Sequence, residues 1–182
     1  SKTGWAASAD RAIVAMRSAS EDGLSYDAYL DTSELVLPLA MREQLDPKAA
    51  LPASIEMLKF DAALAFDRPL DSSALTGPTP ALIGLDLKEL RLVWGDLVMS
   101  VSGALASEGG QPSGKITVTV TGWDRMVSLG VNAGLILPAY EKIWRSVGAS
   151  LAQGAETVEV PLTIDSGQIW LGMLNIGYLP VF

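Results

Sequence analysis

Residues 55–67, IEMLKFDAALAFD, alternate between apolar and polar side chains. A period of two is typical of a β-strand with one buried face, because successive side chains of a strand point to opposite faces. The stretch therefore predicts a half-buried strand in a sheet that is covered on one side. Its apolar face carries Leu58, Phe60, Ala62, Leu64 and Phe66, and its polar face carries Lys59, Asp61 and Asp67.

The segments after this strand extend the pattern into an antiparallel meander. Residues 68–81 are rich in Pro, Ser, Gly and Thr and predict a surface loop. Residues 84–107 predict two strands that turn at residues 95–96. After a wide turn at residues 107–114, the alternation of residues 115–122, KITVTVTG, predicts a further strand.

The segments before it are less regular. Apolar residues of the range 5–19 recur at spacings of three and four, which predicts a helix ending near Gly23. Residues 24–40 alternate loosely and predict extended chain. Residues 41–54 carry two prolines and predict a short helix or a loop.

Helical spacing returns after the meander, in residues 123–134 and 135–154. The second of these segments is the longer, and Pro138 suits its first turn. We expect it to be the long helix that covers the sheet. Its apolar stripe consists of Ile136, Tyr140, Ile143, Trp144, Val147 and Leu151.

The last segment predicts a hairpin whose arms, residues 158–164 and 168–177, flank a turn at 165–167. The second arm is apolar on both faces, so it requires two covers. One cover is the sheet's own core, and the long helix is the natural candidate for the other. The two faces of this arm carry Ile169, Leu171 and Met173, and Trp170, Leu174 and Ile176.

Composition restricts the possible functions. The 182 residues suit one domain, 1–182, with no Cys and no His, which removes disulfides, thiolate nucleophiles and the commonest general base. The net charge of −8 opposes binding to nucleic acid and to anionic lipid headgroups. We expect neither its opening residues to be a signal peptide nor its last residues to be a transmembrane segment, and we expect the sequence to be a fragment of a longer chain. Together the segments predict an α+β fold, in which a twisted, curved antiparallel sheet packs against one long and one or two shorter helices.

Carboxylates are the candidates for acid and base catalysis in a chain of this composition. Aspartates in turns and at helix starts usually serve structure, because they bond nearby backbone amides. We interpret residues 107–110 as a hairpin turn. The five tryptophans fit packing on apolar stripes, with an aromatic platform for sugars or lipid tails as the alternative, and Trp170 is the one whose strand is apolar on both faces. The candidate carboxylates are Asp61, Asp67, Asp96, Asp124 and Asp165.

Turn glycines and prolines of the second half carry a family resemblance. They are Trp94-Gly95-Asp96-Leu97, Gly103, the turn 110–114 before Lys115 and Ile116, Gly122-Trp123, Val160-Pro161-Leu162, Asp165, Gly167, Leu171-Gly172, Ile176-Gly177 and Leu179-Pro180. In this order and spacing they resemble the C-terminal half of the proteobacterial domain-of-unknown-function family 2125. The resemblance implies a periplasmic or cell-envelope location, a membrane anchor in the full-length protein, and no assigned activity. The architecture is also similar to that of AsmA-like envelope proteins.

We therefore expect a non-catalytic envelope domain whose apolar sheet surface binds a lipid-like ligand, without a cofactor or metal. The residues predicted to line that surface are Trp144, Leu151, Trp170, Leu174 and Ile176. Sites for such ligands are concave and mostly apolar. The alternative is a structural or protein-interaction module that docks a missing N-terminal half or an envelope partner. A carboxylate-based hydrolase is the third hypothesis, and it requires two acidic side chains converging in a cleft.

Overall fold

A computed structural model describes residues 6–71 and 77–179 of the chain. In these ranges one antiparallel sheet contains nine strands, and each strand pairs with its neighbours in sequence. The predicted meander and the strand at residues 55–66 are confirmed. The strands are β1 (Arg11–Ser18), β2 (Ser25–Leu35), β3 (Ile55–Phe66), β4 (Leu82–Trp94), β5 (Leu97–Glu108), β6 (Gln111–Thr121), β7 (Thr157–Asp165), β8 (Gln168–Leu171) and β9 (Leu174–Tyr178).

Helices occur in two of the connections between strands. Helix α1 (Leu39–Leu45) joins β2 to β3, and α2 (Trp123–Asn132) and α3 (Glu141–Ala152) join β6 to β7 with a 3₁₀ turn between them. The expectation of one long helix is met only in part, because α3 has 12 residues and α2 has 10.

The predicted helix at residues 5–19 is wrong over its described part, because residues 11–18 form strand β1. The spacing of Ala12, Ile13 and Met16 fits a helix, but residues 12–16 are also a short continuous apolar run, which fits a strand as well. Pairing with β2 decides the outcome, since it places Arg11 and Arg17 beside the carboxylates of β2. Residue 5 lies outside the described residues.

Two turns differ from the prediction. The wide turn at residues 107–114 is a two-residue turn, because β5 continues to Glu108 and β6 begins at Gln111. Gly109 and Gly110 both have positive φ, as such hairpin turns require. The second arm of the last hairpin is itself a hairpin, in which β8 and β9 turn at Gly172 and Met173. Met173 is 98% exposed, so this arm is not one strand that requires two covers.

The two faces of the sheet have opposite chemistry. We call one the apolar face, because a continuous row of apolar side chains crosses seven strands in register. The opposite, polar face carries cross-strand ion pairs such as Arg17 with Asp27 at 2.8 Å and Lys59 with Glu89 at 2.6 Å. The apolar row consists of Val14, Leu30, Phe60, Leu90, Val101, Val118 and Val160.

The best-buried core lies at one end of the apolar face. Trp94 and Leu97, on either side of the β4–β5 turn, pack with Leu51, Ile55 and Val120, and residues of α2 pack against this cluster. Helix α3 contacts β7. Far from the helices, Val14 and Met16 on the apolar face are 77% and 53% exposed. The helices therefore leave part of the sheet uncovered.

Candidate functional site

An apolar groove lies between helices α2 and α3 and strands β6, β7 and β8. Its volume is about 220 Å³, and its walls are almost entirely apolar. We call it the helix groove. Its lining residues are Val120, Trp123, Met126, Val127, Ile136, Trp144, Val147, Gly148, Leu151, Val158, Val160 and Leu171.

The periodicities of a helix and a strand build the walls of the helix groove. On α3, Trp144, Val147 and Leu151 lie three and four residues apart, so they share one helix face. On β7, Val158 and Val160 lie two residues apart on the apolar face. The groove forms where this helix face meets this strand face, because the connection from β6 to β7 returns over the sheet.

Two glycines allow the helical parts to approach closely. A Cβ at Gly148 would lie 2.4 Å from Cε3 of Trp123, a distance that no side chain tolerates without movement. A Cβ at Gly130 would lie 2.8 Å from Cδ1 of Ile136. The absence of both side chains lets α2, α3 and their connection pack against each other at the wall of the helix groove.

The chemistry of the helix groove is that of a binding site for an apolar group. No ionisable side chain is among its lining residues, so it offers no acid, base or nucleophile. An apolar cavity of about 150 Å³ in another protein holds benzene, so this groove has space for an aromatic ring or a short length of alkyl chain. The groove is open to solvent at Leu151, which is 37% exposed.

The structure divides the five residues predicted to line the site. Trp144 and Leu151 line the helix groove, whereas Trp170, Leu174 and Ile176 lie in β8 and β9 and are not among its lining residues. Trp170 pairs with Thr163, and Leu171 lines the groove. Because successive strand residues point to opposite sides, Trp170 lies on the polar face.

Sequence reasoning missed the contributions of Trp123 and Leu171. The sequence places Leu171 on the face of its arm opposite Trp170, and the structure agrees. The part of Leu171 in lining the helix groove is not predicted from the sequence. Trp123 gave no signal beyond the start of a helix, since its position in the groove depends on how α2 packs against α3.

A second, polar cleft of about 330 Å³ lies between the C-terminal end of α1 and helices α2 and α3. Four of its charged side chains, those of Asp46, Arg125, Glu141 and Arg145, are engaged within the chain. Arg145 donates to Glu141 at 2.7 Å, to Ser128 at 2.9 Å and to Asp124, and the bonds to Glu141 and Asp124 raise its pKa. Asp46 accepts hydrogen bonds from the backbone N–H groups of residues 50 and 51 at 3.0 and 2.8 Å. The Arg145 contacts join α3 to α2, and Asn132 joins α2 to α1 by donating to the carbonyl oxygen of Leu45 at 2.8 Å.

The candidate carboxylates also have structural partners. Four are in ion pairs, and Asp165 accepts a hydrogen bond from Ser166 at 3.1 Å in the turn after β7. None of them is among the residues that line the helix groove. The ion pairs are Asp61 with Lys88 at 3.7 Å, Asp67 with Arg68 at 3.1 Å, Asp96 with Arg125 at 3.0 Å, and Asp124 with Arg145.

Comparison with known proteins gives a family and no relative of known activity. In the described parts of the chain, no helix combines the length and the apolar character needed to cross a bilayer. The search of curated proteins and the search of solved structures each returned no match. The family model described as "Uncharacterized protein conserved in bacteria (DUF2125)" matches residues 1–180, so the chain belongs to this bacterial family of unknown function.

Proposed function

We propose that this chain is a non-catalytic cell-envelope domain that binds a lipid-like ligand in the helix groove. The observation that carries the proposal is the composition of the groove walls, where apolar side chains from two helices and three strands surround an open volume of about 220 Å³. Binding sites for small apolar molecules have this character. The volume accommodates part of an acyl chain, so the remainder of the ligand extends out of the groove.

The apolar face of the sheet supports the same proposal. The row that crosses it ends at Val118 and Val160. Val160 also lines the helix groove, so groove and row are continuous. An extended alkyl chain that leaves the groove can therefore follow the row across the sheet.

The periplasmic or envelope location is part of the proposal, and the resemblance to family 2125 motivates it. It is tested separately, by expressing the full-length protein with a C-terminal tag and releasing the periplasm by osmotic shock. Release with periplasmic markers, or sedimentation with envelope membranes, would support the location. Recovery with cytoplasmic markers alone would contradict it.

The ligand proposal is tested with an anthroyloxy-labelled stearic acid and two variants of α3. Leu151→Lys places an ammonium group at the mouth of the helix groove. Ile143→Lys makes the matched change on the same helix, at a residue that is 57% exposed and outside the groove. We expect Leu151→Lys to weaken binding by about tenfold, because it removes apolar contact at the groove mouth and places a charge that an apolar ligand would have to desolvate. Equal effects of both variants would contradict the proposal.

A second candidate function is a protein-interaction module. The connection between α2 and α3 and the first turn of α3 expose a strip of large apolar side chains, each more than half exposed, and such patches mark contact surfaces. If the chain has this function, Leu137→Ser abolishes its association with the partner protein. Binding of the labelled fatty acid is unchanged in the same variant. The strip consists of Leu135, Leu137, Tyr140 and Ile143.

A further inference from the structure

Strand β1 is an open edge of the sheet. It pairs with β2 on one side, and in the described residues no strand pairs with its other side. All eight of its residues are exposed. The opposite edge, β9, has five residues, and its pairing with β8 is irregular. Only β1 is thus a long edge with regular pairing.

Proteins normally protect such an edge, because its free N–H and C=O groups can pair with any extended chain. Common protections are charged side chains on the edge, lysine above all, a proline or a β-bulge. Strand β1, RAIVAMRS, has charges only at Arg11 and Arg17, near its two ends and both paired with carboxylates of β2, and it has no proline. Its register with β2 runs through eight consecutive pairs without a shift. Strand β1 therefore has the backbone geometry to accept another strand.

The side chains of β1 specify what that strand should carry on the apolar face. Val14 is 77% exposed and Met16 is 53% exposed, although both continue rows of the apolar face. In the next strand of the sheet these rows continue with Leu30 and Ala28. A strand added along the free edge of β1 would cover Val14 and Met16 if its own side chains on the apolar face of the sheet were apolar.

On the polar face, the side chains of β1 favour carboxylates on the added strand. Arg17 donates from Nε and one terminal nitrogen to a single oxygen of Asp27, at 3.0 and 2.8 Å, and Arg11 donates once to Asp31 at 3.1 Å. A guanidinium has five N–H donors, so these bonds leave donors on both arginines. Their side chains stay 60% and 80% exposed for Arg11 and Arg17. Each arginine can donate hydrogen bonds to a second carboxylate on the free side of β1.

We propose that β1 is a docking edge for an extended segment of a partner protein in which apolar residues alternate with acidic ones. The segment adds a tenth strand to the sheet, its apolar residues covering Val14 and Met16 and its carboxylates meeting Arg11 and Arg17. This is β-strand addition, in which the backbone supplies affinity and alternate side chains supply specificity.

A second copy of the chain fits this edge poorly. Antiparallel pairing of two β1 strands centred on Val14 would place Arg11 of each copy opposite Arg17 of the other, and like charges directly opposite destabilise a strand pair.

The test uses a labelled synthetic peptide with the sequence of residues 25–35, SYDAYLDTSEL, because this strand already pairs with β1 and has the required alternation. A control peptide carries Asp27→Lys and Asp31→Lys. The intact chain is titrated with each peptide, and hydrogen exchange of its amides is measured. Val14→Lys places a protective charge on the edge, and Leu135→Lys is the control at another exposed residue, on the α2–α3 connection.

We expect the acidic peptide to bind, to slow amide exchange in residues 11–18 and to leave exchange in β2 unchanged. Val14→Lys should weaken binding about fivefold, as loss of a cross-strand pair does, and Leu135→Lys should not. Equal binding of both peptides, or slowed exchange elsewhere in the chain, would overturn the proposal. A dimer whose β1 amides are protected without peptide would also overturn it, since the occupant would then be a second copy.

Discussion

The indole ring of Trp123 lies against the backbone of Gly148, where a Cβ would be 2.4 Å from Cε3 of the ring. This approach brings α2 and α3 together at the wall of the helix groove. It explains why a residue with poor helix propensity occupies the middle of α3.

We expect Gly148→Ala to destabilise the fold by about 1–3 kcal/mol. In a free helix this change stabilises by roughly 1 kcal/mol, but here the methyl group must displace a tryptophan ring, and overpacking costs more than that gain. Urea denaturation measures the difference, with Ser146→Ala on the exposed side of α3 as a control within about 0.5 kcal/mol of wild type. A stabilised Gly148→Ala would show that the helices are not this close.

Trp144 and Trp170 should behave differently in ligand binding. Trp144 lines the helix groove, whereas Trp170 lies on the other face of β8. We expect Trp144→Ala to lower the affinity for labelled stearic acid severalfold and Trp170→Ala to leave it unchanged. Fluorescence titration measures the affinity of each variant, and circular dichroism checks that each is folded. A loss of affinity in Trp170→Ala but not in Trp144→Ala would place the ligand site at the C-terminal hairpin.

Trp94 should be required for the stability of the core. It is buried, and its Nε1 donates to the carbonyl oxygen of Pro52 at 2.9 Å, which fixes the chain before β3 over the β4–β5 turn. We expect Trp94→Phe to lower the free energy of unfolding by about 2 kcal/mol, since it removes packed volume and leaves that carbonyl without its donor. Thermal unfolding of the variant measures the loss. A variant as stable as wild type would mean that this bond contributes nothing.

Acid should weaken the polar face of the sheet. The hydrogen bond from Arg17, together with the nearby charge of Lys88, lowers the pKa of Asp27 below its ordinary value of 3.8. A carboxyl whose pKa is lower in the folded state stabilises the fold above pH 4, and this contribution is lost as the pH falls through the folded pKa.

The variant Asp27→Asn isolates this contribution. We expect its stability deficit relative to wild type to be largest from pH 5 upward and to shrink as the pH falls below about 3.8. Urea denaturation at a series of pH values gives the two curves. A deficit that does not change with pH would show that the carboxylate charge of Asp27 is not involved.

Most of the sheet can be predicted from the sequence, because alternation in residues 55–67 and 115–122 depends only on which face is buried. Strand β1 cannot, since Ala12, Ile13 and Met16 fit a helical period as well, and only pairing with β2 selects the strand. The turn at Gly172 cannot be predicted either, because it lies within a continuous apolar run that fits a single strand.

The helix groove is only partly predictable. The stripe that contains Trp144 and Leu151 follows from helical spacing, and both line the groove. The approach of Trp123 to Gly148 depends on the packing of two helices that are joined by a turn, and no local pattern encodes it. Trp170 was grouped with the site because its arm was interpreted as one strand, whereas the structure gives two.

Photo-cross-linking tests the central claim, the binding of an apolar ligand in the helix groove, most directly. The purified chain is irradiated with a diazirine-labelled fatty acid, with and without excess unlabelled fatty acid, and the modified residues are located by mass spectrometry. We expect saturable labelling among Trp123, Trp144, Leu151 and Leu171. Labelling that excess fatty acid does not reduce, or that lies on the polar face, would contradict it.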